Sequence, residues 1–224
     1  MKYESVVFDM DGVILNYEGD NMSWQYDAAR RVLERNGVDA SGLSRKKLKE
    51  FLGVEGVKKC VDACNDFGVD AETIWTGMAE ETSKERAKRI KTEEFVLFDD
   101  VREVIENLHE QEVKLGIISN APEMAIKETI EYFDLKKYFD FYRGIEDFED
   151  LSDKKPHPDH LNFARAELKR DPFLYIGDHE SDVEAAIAAE MDSYWVNRHD
   201  WSIEAEPTYE RQTLKDVPGI VLSE

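Results

Sequence analysis

The sequence predicts an α/β fold, a doubly wound parallel sheet interrupted by an inserted all-helical domain. From residue 92 onward, short β-branched or aromatic runs alternate with helix-length segments, which is typical of a parallel sheet covered by helices on both faces. Between residues 17 and 91 helical spacing recurs and no strand-like run interrupts it. We therefore expect a core formed by residues 1–16 and 92–224 and a helical domain at 17–91.

The first element is a strand at Ser5–Phe8, because a buried parallel strand is a short and continuous apolar run. A loop over 10–20 follows, and a helix then begins near Trp24 and ends before Gly37, a residue typical of helix ends. The remaining predicted elements are helices at 44–52, 55–67, 70–90 and 99–111, a strand at 113–118, a helix at 122–132, a strand at 141–143, a helix at 158–169, a strand at 173–176, a helix at 182–189, and strands at 193–196 and near 219–222.

The charge of the chain limits its partners. With 50 acidic against 29 basic residues the formal net charge is −21, which argues against binding to nucleic acid. No apolar run approaches the roughly 20 residues of a membrane span, and the first residues do not resemble a signal peptide. We therefore expect a soluble cytoplasmic protein, a monomer or a dimer. Such acidity is typical of cytosolic proteins from salt-loving organisms, where salt screens the repulsion.

The excess acid is unevenly distributed. Residues 17–91 contain 14 acidic and 14 basic side chains, so the whole excess lies in the predicted core. Basic clusters at 30–31, 45–49 and 84–91 are interpreted mainly as solvated helix faces, although they could attract an anionic substrate. Cys60 and Cys64, four residues apart on one helix face, are expected to be reduced core residues.

Polar residues follow the predicted strands. The carboxyl ends of the strands in a doubly wound sheet meet at one crevice, so we expect four carboxylates, a hydroxyl and an ammonium group to converge there. The candidates are Asp9, Asp11, Ser119, Asn120, Lys155, Asp178 and Asp182.

This set of residues indicates phosphoryl transfer. Clustered carboxylates require a counter-charge, and Mg²⁺ bound by oxygen ligands supplies it. Asp9 is the predicted nucleophile that forms an aspartyl-phosphate, and Asp11 the acid that protonates the leaving oxygen and then activates water. Ser119 and nearby backbone N–H groups would hold the phosphoryl oxygens, Lys155 would offset negative charge, and Asp178 would bind the metal.

At these residues the sequence resembles the haloacid dehalogenase superfamily. Its four motifs occur in order as VVFDMDGV at 6–13, IISN at 117–120, KP at 155–156 and YIGDHESD at 175–182. The resemblance implies a Rossmann-like core, a helical cap inserted after the first strand and a Mg²⁺-dependent phosphatase with a small phosphomonoester as substrate. It also implies that Asp9, Asp178 and the backbone carbonyl of Asp11 hold Mg²⁺, that Ser119, Asn120 and Lys155 bind the phosphate, and that Asp182 binds the metal through water or orients Lys155.

Some features distinguish branches of this superfamily. The dehalogenase branch lacks the second aspartate of the first motif, so Asp11 argues against carbon–halogen chemistry. His179 stands where the family often has Ser or Thr, and a structural or solvent-facing role is favoured for it, as a loop role is for His157. The alternatives are a sugar-phosphate mutase of the same superfamily and a phosphoryl-receiver signalling module, in which the lysine would follow all the acidic residues. Phosphoglycolate, sugar phosphates and nucleoside monophosphates all remain candidate substrates.

Overall fold

A computed structural model of the chain describes residues 1–16 and 23–223. The strands are β1 (Ser5–Phe8), β2 (Leu15–Asn16), β3 (Val96–Leu97), β4 (Lys114–Pro122), β5 (Phe141–Ile145), β6 (Phe173–Gly177), β7 (Asp192–Val196) and β8 (Tyr209–Arg211). Six of them form one sheet in the order β5-β4-β1-β6-β7-β8, and every neighbouring pair in it is parallel. From β1 the chain adds strands on one side and then crosses to the other, so the crevice expected of a doubly wound sheet lies at the end of β1.

Helices cover both faces of this sheet. They are α1 (Ser23–Arg35), α2 (Arg45–Phe51), α3 (Val57–Asp66), α4 (Ala71–Lys91), α5 (Val101–Glu110), α6 (Glu123–Tyr132), α7 (Asp159–Leu168), α8 (Glu180–Ala188) and α9 (Val217–Val221). Val6 and Phe8 pack with α5, α6 and α9, whereas Val7 packs with α7 and α8, because successive side chains of a strand point to opposite faces. The predicted fold class is confirmed. Across both described stretches, none of the helices is long and apolar enough to cross a membrane.

Helices α1 to α4 follow β2 and form a helical insertion, the name used here for residues 23–91. It has its own apolar core, which includes Leu33, Phe51 and Ile74. Cys60 and Cys64 are buried in that core without a disulfide, and the Cys60 thiol donates to the Phe51 carbonyl at 3.3 Å. The insertion therefore buries an apolar interior of its own, while Trp24 and Ile90 near its two ends pack with the core on the sheet.

A two-stranded antiparallel ribbon joins the two ends of the insertion. In it Leu15 pairs with Leu97 and Asn16 pairs with Val96, so β2 and β3 lie side by side. The predicted loop over 10–20 thus contains a short strand, and its part at 17–20, like the predicted domain start at residue 17, lies outside the described residues.

The prediction of a final strand near 219–222 is wrong. That segment belongs to α9, in which Val217 and Val221 are both buried, the four-residue spacing of one helix face. The last strand is instead β8, a polar stretch at the edge of the sheet that has no apolar run to signal it. Strand β4 also runs four residues beyond its predicted end at Ile118, with an irregular register against β5.

The C-terminal segment is held to the core by a buried ion pair. Asp100, at the start of α5, accepts hydrogen bonds from both terminal guanidinium nitrogens of Arg198 at 2.9 and 3.1 Å. It also accepts from the Thr213 hydroxyl at 2.7 Å and the Leu214 backbone N–H at 2.8 Å. Burial opposes the ionised form, but these hydrogen bonds outweigh it and lower the pKa of Asp100.

Candidate active site

Asp9 and Asp178 stand at the ends of neighbouring strands. Asp9 directly follows β1, Asp178 directly follows β6, and the backbone N–H of Asp9 donates to the Ile176 carbonyl at 2.8 Å. The carboxyl ends of parallel strands open at the same edge of a sheet, so the two carboxylates share one crevice. The side chain of Asp9 is buried there.

Lys155 supplies a buried positive charge in this crevice. Its ammonium donates to Asp9 Oδ1 at 2.7 Å and to Asp182 Oδ1 at 2.5 Å. A third hydrogen bond, of 2.7 Å, goes to the hydroxyl of Tyr175. Burial alone would lower the pKa of Lys155, but the charges of Asp182 and Asp9 outweigh it and raise that pKa. The lysine therefore stays charged while it bridges two of the carboxylates.

Three carboxylates crowd around this lysine. Asp9, Asp178 and Asp182 offer oxygen atoms that all lie within 4.8 Å of one another. Burial raises the pKa of Asp9 to about 7 despite the opposing charge of Lys155, and burial together with Asp182 and Asp9 raises the pKa of Asp178 well above its usual range. One ammonium does not balance this cluster, and a hard divalent cation with oxygen ligands such as Mg²⁺ fits both its charge and its donor atoms.

The loop after β1 is shaped for close approach to this cluster. Gly12 has a φ of +79°, and a Cβ atom there would lie 1.9 Å from Oδ2 of Asp178. Only glycine lets the backbone approach the carboxylate so closely. Gly177 similarly leaves room for Asp182, whose Cβ would be 2.2 Å from an added methyl group.

Asp182 ties the lysine to the loop before α8. Its Oδ2 accepts from the backbone N–H groups of Asp178 at 3.2 Å and His179 at 3.0 Å, while its Oδ1 accepts from Lys155. The imidazole of His179 accepts from the backbone N–H of Ser181 at 3.3 Å and so caps α8, together with Asp182. Asp182 therefore lies where it can orient Lys155.

Ser119 and Asn120 lie in the last part of β4. The Ser119 side chain is buried in the crevice, and its hydroxyl accepts from the Ala121 backbone N–H at 3.3 Å. Asn120 makes a paired contact with the backbone of Lys155: its Oδ1 accepts from the lysine N–H at 2.9 Å and its Nδ2 donates to the lysine carbonyl at 3.0 Å. This positioning of Lys155 was not foreseen from the sequence.

Asp11 is turned away from the carboxylate cluster. Both of its oxygens accept from Arg86 of α4, with 2.7 Å between Oδ2 and Nη2 and a second, shorter contact between Oδ1 and Nη1. The arginine comes from the helical insertion, 75 residues away in the chain. The basic cluster at 84–91 was the sequence signal for this residue, but nothing in the sequence showed that its partner would be Asp11.

Two aromatic residues also support the site and were not predicted. Tyr175 on β6, besides its contact with Lys155, donates to the Ile118 carbonyl at 3.2 Å. The indole N–H of Trp195 on β7 donates to the Asp178 carbonyl at 2.8 Å and thus fixes the backbone at the end of β6. His157 is exposed beside Asp159, outside this cluster.

The crevice opens into a cavity of about 540 Å³ between the sheet edge and the helical insertion. Asp9, Lys155 and Asp178 line its floor together with Ser119. Aromatic and aliphatic side chains form much of its remaining wall; among them are Trp24, Trp75, Met78, Phe95, Ile145 and Leu151. A reacting group on the floor would be overlain by an apolar chamber of a size that holds small organic ligands.

The fold and this crevice define a class of protein, a doubly wound α/β enzyme whose polar groups gather at the carboxyl edge of the sheet under a helical insertion. The sequence profile of the haloacid dehalogenase-like hydrolases matches residues 6–196. The chain belongs to that family, which confirms the resemblance of its motifs and the prediction of a phosphatase.

Individual relatives agree with this assignment. The chain is 26% identical over 191 residues to a phosphoglycolate phosphatase of Photorhabdus laumondii, a match that covers 83% of this chain and 76% of that protein. It is also 26% identical over 228 residues to a phosphoglycolate phosphatase of Pseudomonas fluorescens, with 96% and 78% covered. The crystal structure of a phosphatase of this superfamily from Thermococcus onnurineus superimposes with a TM-score of 0.70 over 99% of both chains at 22% identity, which shows the shared fold.

Proposed function

We propose that this phosphatase hydrolyses a small phosphomonoester through an aspartyl-phosphate on Asp9. The observation that carries the proposal is the buried carboxylate of Asp9, placed at the end of β1 with the Lys155 ammonium at 2.7 Å and the carboxylate of Asp178 in the same cluster. A carboxylate held beside a fixed cation in a crevice is suited to attack phosphorus, since phosphoryl transfer depends on positioning and on neutralised charge.

The first step forms a bond between a carboxylate oxygen of Asp9 and phosphorus and breaks the ester bond. The leaving oxygen takes a proton from Asp11, and the alcohol departs. In the second step Asp11 takes a proton from water, and the water oxygen attacks the phosphorus of the aspartyl-phosphate. Inorganic phosphate leaves, and Asp9 regains its carboxylate. Ser119, Asn120 and Lys155 are the proposed ligands of the phosphoryl oxygens during both steps.

Asp9, Asp178 and the backbone carbonyl of Asp11 are the residues that would hold Mg²⁺. When bound, the ion offsets the charge of the carboxylates and of the phosphate. The residues of the chain then hold the geometry: Asp182 fixes Lys155 and the loop of Asp178, and Gly12 keeps the backbone close to that carboxylate.

The helical insertion is the proposed cap, with the domain boundaries expected at 17 and 91. Its residues Trp75 and Met78 form part of the cavity wall above the floor, where they exclude water from the reacting groups. The relatives from Photorhabdus laumondii and Pseudomonas fluorescens are phosphoglycolate phosphatases, so phosphoglycolate is the first substrate to try.

The test measures phosphate release from a panel of phosphomonoesters by wild-type protein and by Asp9→Asn, with Mg²⁺ or with EDTA. Wild type should turn over many times with Mg²⁺, while Asp9→Asn should lose activity and keep its circular dichroism spectrum. Asp66→Asn, which changes an exposed carboxylate of α3, is the matched control. Full activity in Asp9→Asn would refute the mechanism. A single equivalent of stable phosphoprotein would instead indicate a receiver, and phosphate moved within a sugar would indicate a mutase.

Asp11→Asn should slow both formation and breakdown of the phosphoenzyme, because one group serves as acid and then as base. Rapid-quench measurement of the phosphoenzyme follows the two rates separately. A variant slowed in only one step would show that Asp11 does not serve both.

A further inference from the structure

The pair formed by Asp11 and Arg86 connects the loop after β1 to the helical insertion. The side chain of Arg86 is only 6% exposed and that of Asp11 is 24% exposed, so the pair lies largely out of water. Two parallel N–H···O contacts join the flat guanidinium to the flat carboxylate. This is the geometry with which arginine recognises a carboxylate.

The pair also lies on the wall of the cavity, above the floor that holds Asp9. The two lysines that line the same cavity are engaged elsewhere. Lys155 bridges Asp9 and Asp182, and Lys154 donates to the carbonyls of Gly53 and Val54 in the insertion. Arg86 therefore presents a guanidinium to the cavity wall in a place where a carboxylate is already seated.

The position of Asp11 conflicts with its proposed part in the reaction. To give a proton to the leaving oxygen, a carboxyl oxygen of Asp11 must come within hydrogen-bond reach of that atom. In the structure both of its oxygens are engaged by Arg86. Asp11 must therefore leave the guanidinium before it can act, and separating these two charges costs free energy because the pair lies largely out of water. A second carboxylate, brought by the substrate, would remove this cost.

We propose that Arg86 is the receptor for a carboxylate on the leaving group of the substrate. The substrate carboxylate replaces Asp11 on the guanidinium, and the released Asp11 takes up a proton from water and turns toward the ester oxygen. This inference rests on the proposed phosphatase function and specifies its substrate class: a phosphomonoester whose alcohol carries a carboxylate. Binding of the substrate carboxylate and release of Asp11 then occur together. With a neutral alcohol as the leaving group, Asp11 would stay paired with Arg86.

The apolar wall of the cavity determines which groups the substrate can carry besides its phosphate and carboxylate. Trp24, Trp75 and Phe95 surround the space between the floor and the insertion. A cavity of about 540 Å³ has room for carbon atoms beyond those of a two-carbon acid. The expected substrates are therefore phosphorylated hydroxy acids, with apolar substituents on the hydroxy acid accepted.

The experiment compares two esters of the same size, 2-phosphoglycolate and its carboxamide, in which a neutral amide replaces the carboxylate. We measure kcat and KM for both with wild type, Arg86→Gln and Lys88→Gln. Lys88 lies on the same helix and is 70% exposed, so its variant makes the same change of charge outside the cavity. Wild type should favour the carboxylate, and Arg86→Gln should reduce the ratio of the two kcat/KM values by about 10- to 100-fold, the range for one or two charge-assisted hydrogen bonds. Lys88→Gln should keep the wild-type ratio.

Two results would overturn the proposal. The first is a wild type with the same kcat/KM for both esters. The second is an equal fall of kcat/KM for both esters in Arg86→Gln, which would mean that the arginine acts only on Asp11 or on the fold. If Arg86→Gln does not fold, Arg86→Lys replaces it, since it retains the charge but loses the paired geometry, and the same fall in the ratio is required.

A binding measurement separates this inference from the proposed function. Titration calorimetry with 3-phosphonopropionate, which cannot be hydrolysed, should show binding to wild type in Mg²⁺ that weakens at least 10-fold in Arg86→Gln. If Arg86→Gln binds the phosphonate more weakly but wild type hydrolyses neither ester, the role of Arg86 as receptor is supported and the phosphatase mechanism is refuted. If both esters are hydrolysed and Arg86→Gln binds the phosphonate as wild type does, the mechanism stands and the receptor is refuted.

Discussion

Replacing Asp9 with asparagine should stabilise the metal-free protein. The site holds Asp9, Asp178 and Asp182 around the single ammonium of Lys155, and burial raises the pKa of Asp9 from its ordinary value of 3.8 to about 7. Because this pKa is higher in the folded than in the unfolded chain, the folded protein loses stability as the pH rises through that interval. At 1.36 kcal/mol for each pH unit, the loss reaches about 4 kcal/mol above pH 7.

Asparagine resembles the protonated form of Asp9 and does not titrate, so the variant escapes this loss. We expect the free energies of unfolding of Asp9→Asn and wild type to be nearly equal at pH 4. At pH 8 the variant should be more stable by up to about 4 kcal/mol. The assay is urea unfolding in EDTA at a series of pH values, with Asp66→Asn as the control for loss of an exposed carboxylate.

Mg²⁺ provides a second measurement on the same two proteins. Its charge should offset the carboxylates of wild type, so the advantage of Asp9→Asn at pH 8 should shrink when EDTA is replaced by the metal. Equal stability of the two proteins at pH 8 in EDTA, or a difference that stays constant from pH 4 to pH 8, would refute the electrostatic account of the site.

Three further predictions concern the loop after β1, the C-terminal segment and the net charge. Gly12→Ala should fold but lose at least 100-fold in Mg²⁺-dependent activity, because the added Cβ would displace the side chain of Asp178. The control is Gly42→Ala, since a Cβ at Gly42 would meet no atom within 4 Å. An active Gly12→Ala variant would contradict this account. Asp100→Ala should lower the free energy of unfolding by about 3 kcal/mol, because it leaves Arg198 buried without its carboxylate, whereas Asp99→Ala next to it should cost less than about 0.5 kcal/mol. Raising KCl from about 0.1 to 1 M should raise the urea concentration at the midpoint of unfolding. Salt shortens the range over which the charges of a protein with net charge −21 repel one another. A midpoint independent of salt would show that this repulsion contributes little.

Much of the fold was predictable because its signals are local. The run at Ser5–Phe8 and the polar residue that follows it are contiguous in the chain, and the same holds at Gly177 and Asp178. A strand and the group at its end can therefore be identified together. The C-terminal region lacked such signals, since β8 is polar and α9 is too short for a helical period to separate it from a strand.

The contacts within the site were less predictable, because they join residues distant in the sequence. Two examples depend on how the elements pack against one another. They are the ion pair of Asp11 with Arg86 and the hydrogen bonds between Asn120 and the backbone of Lys155. A sequence shows that a residue can accept or donate hydrogen bonds, but several partners satisfy the same side chain equally well. Only the packed structure selects among them.

The ribbon of β2 and β3 has a consequence for how such an enzyme can change. Leu15 lies opposite Leu97, so the chain enters the insertion and leaves it at nearly the same point. A helical segment of another shape between these two residues would leave every strand of the large sheet at its present spacing. The strands that end at Asp9 and Asp178 thus stay in one continuous sheet, while the wall that the insertion adds to the cavity can change in shape without moving them.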